Sequence, residues 1–278
     1  MDTRLAAITA KFTQYLHELV EEFQVTEEEL FKAIDFFTEV GKKNQYMLLS
    51  DVLGISVKVD EITNGPHHHH LEVTHHNVEG PLYRDGAPLL KTPANICPEY
   101  SKGDVLVVSG QVLSNDKQPI AHAELDVWQA NEHGYYENED QDQPEFNLRG
   151  RVQCDAEGRF EVQTIVPAPY EIGRTGPVGD LLKKVDRHSW RPAHIHFKVS
   201  GEGFDSITTQ LFIPDDPWIE SDSIGAVKES LILKFETCEN ESEMLERGLD
   251  KPFFKTNYNF TLPPKVDAPA QEKEISHL

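Results

Sequence analysis

The stretch RPAHIHFKV, residues 191 to 199, sets two histidines one residue apart in a run that alternates as a strand does. Side chains two apart on a strand share a face. His194 and His196 therefore point one way, and Ile195, Phe197 and Val199 the other. Two imidazoles side by side make half of a metal site, since neutral imidazole is the commonest protein ligand. On a polar, solvated strand face the same pair does nothing, and that is the commoner meaning of an isolated H-x-H. The other half must come from elsewhere in the chain. Two long irregular segments, WQANEHGYYENEDQDQPEFNLRG and IVPAPYEIGRTGPVGDLLKKVDRHSW, carry tyrosine near their starts: Tyr135 and Tyr136 in the first, Tyr170 in the second. A tyrosine in a loop is ordinarily an amphipathic filler with its hydroxyl in water. Its phenol, with a pKa near ~10, is a poor ligand unless a strongly charged cation removes the proton. Ferric iron, a hard trivalent ion, does so, whereas zinc and ferrous iron more often take histidine with carboxylate or thiolate.

These residues need a scaffold. Residues 2 to 59 read as helical, with Thr26 and Glu29 forming a capping box ahead of Leu30, Phe31, Ile34 and Phe37 at helical spacing. From Glu61 to Cys97 the character is that of a loop, including the cluster His67 to His70 with His75 and His76. That cluster has the composition of a metal trap, but a polar loop leaves such rings in water. From about Gly103 the pattern turns to short alternating strands: DVLVVSGQVL, AELDVWQA, RFEVQTIVP, HIHFKV, SITTQLFI and KESLILKFE, divided by turns such as SNDKQP and DAEG. Strands without long helices between them predict a β-sandwich or barrel. The expected class is mainly β with a helical N-terminal region. The expected division is 1–62 helical, 63–102 linker, 103–265 β-sandwich catalytic domain and 266–278 a frayed, Pro-rich tail.

Composition narrows the partners. The chain has 278 residues, enough for a sizeable core, and a formal net charge of -22. Such a surface repels phosphate backbones, so nucleic acid is not expected. No run approaches the ~18 to 20 apolar residues of a membrane span, and the N-terminus has no signal-peptide pattern. Cys97, Cys154 and Cys238 are few and widely spaced, which fits reduced thiols in a cytoplasm. The expected partner is a small molecule or a second copy of the chain.

DVWQANEHGYY, RGRVQCDAEGRFEVQTIVPAPY, GPVGDLL, RHSWRPAHIHFKVS and TTQLF together resemble the intradiol ring-cleavage dioxygenases, the catechol and hydroxyquinol 1,2-dioxygenase group. VEGPLYRDGAP resembles the linker motif of that family, and the likeness runs from roughly residue 5 to 240. The resemblance implies one Fe(III) per subunit, held by Tyr136, Tyr170, His194 and His196. Tyr136 rather than Tyr135 matches, standing two after Gly134 and eight after Trp128. By the same analogy Tyr136 and His194 are equatorial, and Tyr170 and His196 axial. Arg191 matches the arginine beside the substrate and Gln210 the glutamine that completes the pocket. An aromatic ortho-diol and O2 are the implied substrates, the diol losing protons to the displaced Tyr170 and to hydroxide. A helical N-terminal region that pairs two subunits around a phospholipid groove is implied as well.

Other readings fit less of the chain. A cupin follows its H-x-H with a glutamate, where this sequence has Lys198 and Val199. A zinc hydrolase needs a third ligand, for which His188 or Glu171 are the candidates, with no zinc spacing motif behind them. A transthyretin-like binding sandwich explains the strands and leaves both tyrosines and both histidines without a role. The substrate stays open at this level. Leu48 with Asp51 matches a leucine and aspartate on the substrate-facing helix of hydroxyquinol enzymes, although Asp51 as a helix-surface or capping residue accounts for the spacing equally well. ESDSIGAVKESL and QPEFNLRG lean the same way, while PAPY and RHSWRPAH resemble chlorocatechol enzymes.

Overall fold

A computed structural model describes residues 2–64, 72–97 and 101–265. The expected helical stretch is four helices: α1 (Thr3–Phe23), α2 (Glu27–Lys42), α3 (Tyr46–Val52) and α4 (Ile55–Asn64). The breaks are local. Gln24 takes a left-handed conformation at the end of α1, and Thr26 then caps α2 with the reciprocal Glu29 bonds of a capping box. The strands follow as β1 (Leu89–Lys91), β2 (Ala94–Asn95), β3 (Val105–Ser114), β4 (Glu124–Gln129), β5 (Arg149–Gln153), β6 (Arg159–Ile165) and β7 (Tyr170–Glu171). After α5 (Pro177–Lys184) come β8 (Trp190–Arg191), β9 (His194–Ser200), β10 (Ile207–Phe212), β11 (Glu236–Cys238), β12 (Phe253–Asn257) and β13 (Phe260–Leu262), with the short helix α6 (Glu241–Glu246) between β11 and β12.

Two sheets carry most of these strands, in the orders β1-β5-β4-β9-β10 and β11-β12-β3-β6-β2, with β13 also paired to β3, while β7 and β8 form a separate two-stranded pair. Leu125, Val127, Ile195, Phe197 and Leu211 of one sheet pack in a single core with Leu106, Val108, Phe160 and Val162 of the other, which makes a sandwich. β1 and β2 lie in the segment that reads as loop, yet they add parallel edges to the two sheets through β5 and β6. With three and two residues they are too short to show an alternating pattern.

Register does the positioning. In the antiparallel pairs β4–β9 and β9–β10, His196 stands opposite both Trp128 and Gln210, so the three form one row across the sheet. The alternate residues Ile195, Phe197 and Val199 are fully buried in the sandwich core. A slip of one residue would exchange the histidines with that core.

The helical region docks around α5, and Val57 of α4 packs against the sandwich core. Val40, Leu49 and Val52 pack on Val178 and Leu182 of α5. Gln45 donates to the Thr175 carbonyl at 2.8 Å, and Arg187 donates to the Val52 carbonyl at 3.0 Å. By contrast α1 has no buried residue, and its stripe Leu5, Ile8, Phe12, Leu16, Leu19 and Phe23 is exposed, as are Leu30, Phe31, Ile34 and Phe37 of α2. Among the described residues, no helix is long and apolar enough to cross a membrane.

Candidate active site

The tyrosine pair is separated by a turn. Asn131 Oδ1 accepts from the backbone N–H groups of His133 and Tyr135, and the Tyr135 carbonyl accepts from the Asn131 N–H. Gly134 lies within this turn at φ +76, and a Cβ there would stand 2.8 Å from the Pro169 carbonyl oxygen. Glycine is what lets the two tyrosine-bearing segments approach. As the chain leaves the turn, Tyr135 is 40% exposed beneath the Arg174 guanidinium, while Tyr136 is completely buried. Tyr170 opens β7 directly opposite Arg191 of β8. The Tyr136 and Tyr170 rings meet edge to face at 5.7 Å.

The four candidate ligands therefore meet in one buried place, with an unmatched hydrogen-bond balance. His194 Nδ1 donates to the Pro192 carbonyl at 2.7 Å, which leaves a lone pair on Nε2. That single lone pair is crowded by Arg191 Nη1 at 3.1 Å, His196 Nε2 at 3.1 Å and the Tyr170 hydroxyl at 3.4 Å. The buried Tyr136 hydroxyl and His196 Nδ1 have no well-formed hydrogen bond among the described residues. Buried polar atoms are normally paired. Two phenols and two imidazoles with convergent, unmatched oxygens and nitrogens fit a hard cation that accepts lone pairs from all of them.

Electrostatics agree. Burial, reinforced by Arg191, pushes the His194 pKa down to about 3. Burial, then His194, holds His196 well below the usual imidazole range. Both rings are neutral, as metal ligands must be. Burial, then the neighbouring Tyr170, raises Tyr136 well above an ordinary phenol. Burial also raises Tyr170, against the pull of Arg191. Trp128 stacks on the His196 ring at 4.7 Å with planes 7° apart, and Tyr83 caps Trp128 edge-on.

Arg191 is held by a carboxylate that nothing in the sequence singles out. Its Nε and Nη2 donate to the two oxygens of Asp222 at 3.1 and 3.2 Å, both residues being buried. Burial alone would lower the arginine pKa, but Asp222 more than offsets it and raises it. Burial opposes ionisation of Asp222 too, and Arg191 overcomes this to hold the carboxyl below its ordinary range. Nη2 also donates to Gln210 Oε1 at 2.8 Å, and Gln210 Nε2 donates to the Val78 carbonyl at 2.7 Å. Gln210 is thus wholly engaged in tying Arg191 to the 78–82 strap.

A cleft of about 430 Å³ opens onto this group, lined by Leu48, Asp51, the strap from Val78 to Leu82, Tyr170, Ile172, Arg191, His196 and Ile224. Leu48 and Asp51 both reach it. Burial raises the Asp51 carboxyl pKa, opposed by a hydrogen bond from Ser56 and by the Arg191 charge. The zinc candidates go elsewhere: His188 packs on Trp218, and Glu171 accepts from Ser189. Among the described residues, no three His, Cys, Asp or Glu side chains cluster to hold a metal. His75 bonds Ser230, away from the cleft, and His67 to His70 lie outside the described residues.

A family model described as Dioxygenase matches residues 78–264, and one described as Catechol dioxygenase N terminus matches residues 2–70. A hydroxyquinol 1,2-dioxygenase of Rhizobium sp. is 41% identical over 94% of this chain and 90% of its own. A catechol 1,2-dioxygenase of Candida albicans is 33% identical over 93% of this chain and 86% of its own. The crystal structure of a hydroxyquinol 1,2-dioxygenase from Pseudomonas putida superposes with a TM-score of 0.86 at 36% identity, covering 95% of this chain and 93% of the other.

Removing the carboxylate that holds Arg191 leaves a buried cation unpaired, which costs about 3 to 5 kcal/mol. Asp222→Ala is expected to lower the urea midpoint accordingly at unchanged slope. A variant within error of the wild type would show that Arg191 finds another partner.

Proposed function

Because the chain belongs to the intradiol ring-cleavage dioxygenases, which open an aromatic ring between two hydroxyl-bearing carbons with O2, we propose that its preferred substrate is hydroxyquinol, 1,2,4-benzenetriol. The observation that carries this choice is Asp51: an acidic side chain, 6% exposed, on the wall of an otherwise mostly apolar cleft. Besides the bond from Ser56, a buried carboxylate has acceptor capacity left for a further donor, and the third hydroxyl of hydroxyquinol is one. The 41% identical relative is a hydroxyquinol enzyme by name. The apolar remainder of the cleft, Leu48, Leu82, Ile172 and Ile224, supports catechol or a chlorinated catechol as the second reading.

Tyr136, Tyr170, His194 and His196 are assigned as ligands to one non-haem Fe(III) per subunit, supported by the convergence of Tyr170 Oη, His194 Nε2 and His196 Nε2 and by the unpaired, buried Tyr136 hydroxyl. Ferric iron bound there would supply Lewis acidity towards the diol and its activation for O2. The protein's own groups do the rest. Held as a phenolate by such an ion, Tyr170 Oη would be able to take one diol proton, and its place opposite Arg191 would let the guanidinium steady the charge during that transfer. Arg191 Nη1, the nitrogen not committed to Asp222 or Gln210, is the donor left for negative charge on the ring. The Pro192 carbonyl fixes the His194 tautomer, and Trp128 holds the His196 plane and excludes water from that side.

The division into a helical region (1–62), a linker (63–102) and a catalytic sandwich (103–265) follows the same assignment. The helical region is taken to pair two subunits. The apolar stripe of α1 and α2 is what supports a homodimer, and a phospholipid chain is the further ligand proposed for that stripe. Phe12→Glu is expected to convert a dimer into a monomer by sedimentation equilibrium, with the far-ultraviolet spectrum retained. A wild-type monomer at micromolar concentration would end the dimer assignment.

The metal assignment predicts about one iron per chain and a broad visible absorption from tyrosinate-to-iron charge transfer. Tyr136→Phe should bleach the colour and weaken iron retention, whereas Tyr135→Phe should leave both unchanged. Zinc in a colourless solution would overturn the iron reading.

Asp51 gives a prediction with two signs. Losing one hydrogen bond to a charged group costs about 1.5 to 3 kcal/mol, roughly ten- to a hundredfold in kcat/KM. Asp51→Asn should lower kcat/KM for hydroxyquinol by about that factor and spare catechol. Its stability effect runs the other way. Because the folded-state pKa of Asp51 is raised, the native state carries no penalty below the unfolded carboxyl pKa. The penalty grows as pH rises from the unfolded carboxyl pKa and is complete above the folded value. The variant should therefore melt higher than the wild type at neutral pH and equally at pH 3. Equal kinetic losses on both substrates would make Asp51 structural.

A further inference from the structure

Beside Tyr136 lies a buried cation that binding the diol does not use. Arg149 opens β5, opposite Trp128 of β4, and is 3% exposed. Its Nε donates to Glu137 Oε2 at 2.6 Å and its Nη2 to Asn138 Oδ1 at 3.3 Å. The other oxygen of Glu137 accepts from Arg84 Nη1 at 2.6 Å, and Arg84 reaches outward to Glu145. Arg149 Nη1 is buried without a partner, and the guanidinium carbon lies 5.6 Å from the centre of the Tyr136 ring, over its face.

As a folding device this arrangement is poor. A buried ion pair rarely gains over well-packed apolar residues, and an orphaned N–H adds a further cost. What the charge does reach is the π system of Tyr136. A cation over a ring face attracts the ring electrons, most strongly where water is excluded.

We infer that Arg149 is a positioning residue that stabilises Tyr136 as a phenolate ligand, with Glu137 setting how much of its charge the ring feels; this rests on reading Tyr136 as a ligand to ferric iron. The ring electrons are the donor in the tyrosinate-to-iron transition. A cation over the ring lowers their energy and moves the band to shorter wavelength. Removing the cation moves it back, and removing the neighbouring carboxylate leaves more positive charge over the ring.

The test is the visible spectrum of the purified, iron-containing full chain, normalised to bound iron. Arg149→Met is expected to shift the band maximum to longer wavelength, Glu137→Gln to shorter wavelength, and Arg149→Lys to stay near the wild type. A merely structural role changes melting temperature or iron content and leaves the band position alone. Band maxima unmoved in both Arg149→Met and Glu137→Gln, or moved in the same direction, overturn the inference. If Arg149→Met fails to hold iron, Glu137→Gln decides: a shift to shorter wavelength supports it, and an unmoved or oppositely moved band overturns it. A colourless wild type overturns the ligand reading and this inference together, whereas a coloured wild type with unresponsive variants overturns this inference alone.

Discussion

The Arg191–Asp222 ion pair is the contact on which the rest of the site depends. One guanidinium joins β8 to the loop that begins at Asp222, to Gln210 on β10 and to His194 on β9. Through Gln210 it also holds the strap at Val78, and Asp222 in turn accepts from the N–H groups of Ile224 and Ala226. Two walls of the cleft, the strap and the Ile224 loop, are thus fastened to the same cation. Inside a low-dielectric interior neither member of this pair is tolerable alone, so the walls and the charge are present together or not at all.

The charge arrangement around the cleft is opposite to that of the molecule. A chain of formal charge -22 places two buried arginines, Arg191 and Arg149, next to its four candidate ligands. Each is partnered on the side away from the ligands by one carboxylate, Asp222 or Glu137. The imidazoles are kept neutral by burial, so the site is prepared to receive negative charge from phenols or a bound diol. Asp51 is the exception: a carboxyl on the cleft wall that burial disfavours in its charged form. A group that weakens the fold at a cleft makes sense where it selects a ligand.

Rigid and adjustable parts of the site come from different kinds of structure. The histidines, Trp128 and Gln210 sit in register across three strands, where backbone pairing sets their spacing. The tyrosines come from irregular segments that meet only because Gly134 offers no Cβ to the Pro169 carbonyl. Leu48 and Asp51 belong to a short helix fastened to α5 and its flanks by Val52, Gln45 and Arg187. Changes in that docking would move this wall of the cleft while leaving the four candidate ligands where they are.

Much of this was legible in the amino-acid order because it is governed by local physics. The period of two put His194 and His196 on one face, and the capping box of Thr26 and Glu29 formed as its spacing requires. The sandwich and the helical N-terminal region follow from those same periodicities. Short or distant features were not legible. β1 and β2 are too brief to carry a pattern, and Asp222 stands 31 residues from Arg191 in an acid-rich stretch where one more aspartate is no signal. The buried Arg149, with its guanidinium over the Tyr136 ring and its Nη1 unpaired among the described residues, is invisible in the run FNLRGR. Sequence alone determined which side chains share a strand face or cap a helix, because backbone geometry repeats over a few residues. Only the tertiary structure decided which charges lie against which rings, because those pairings depend on loop closures and sheet register spanning tens of residues.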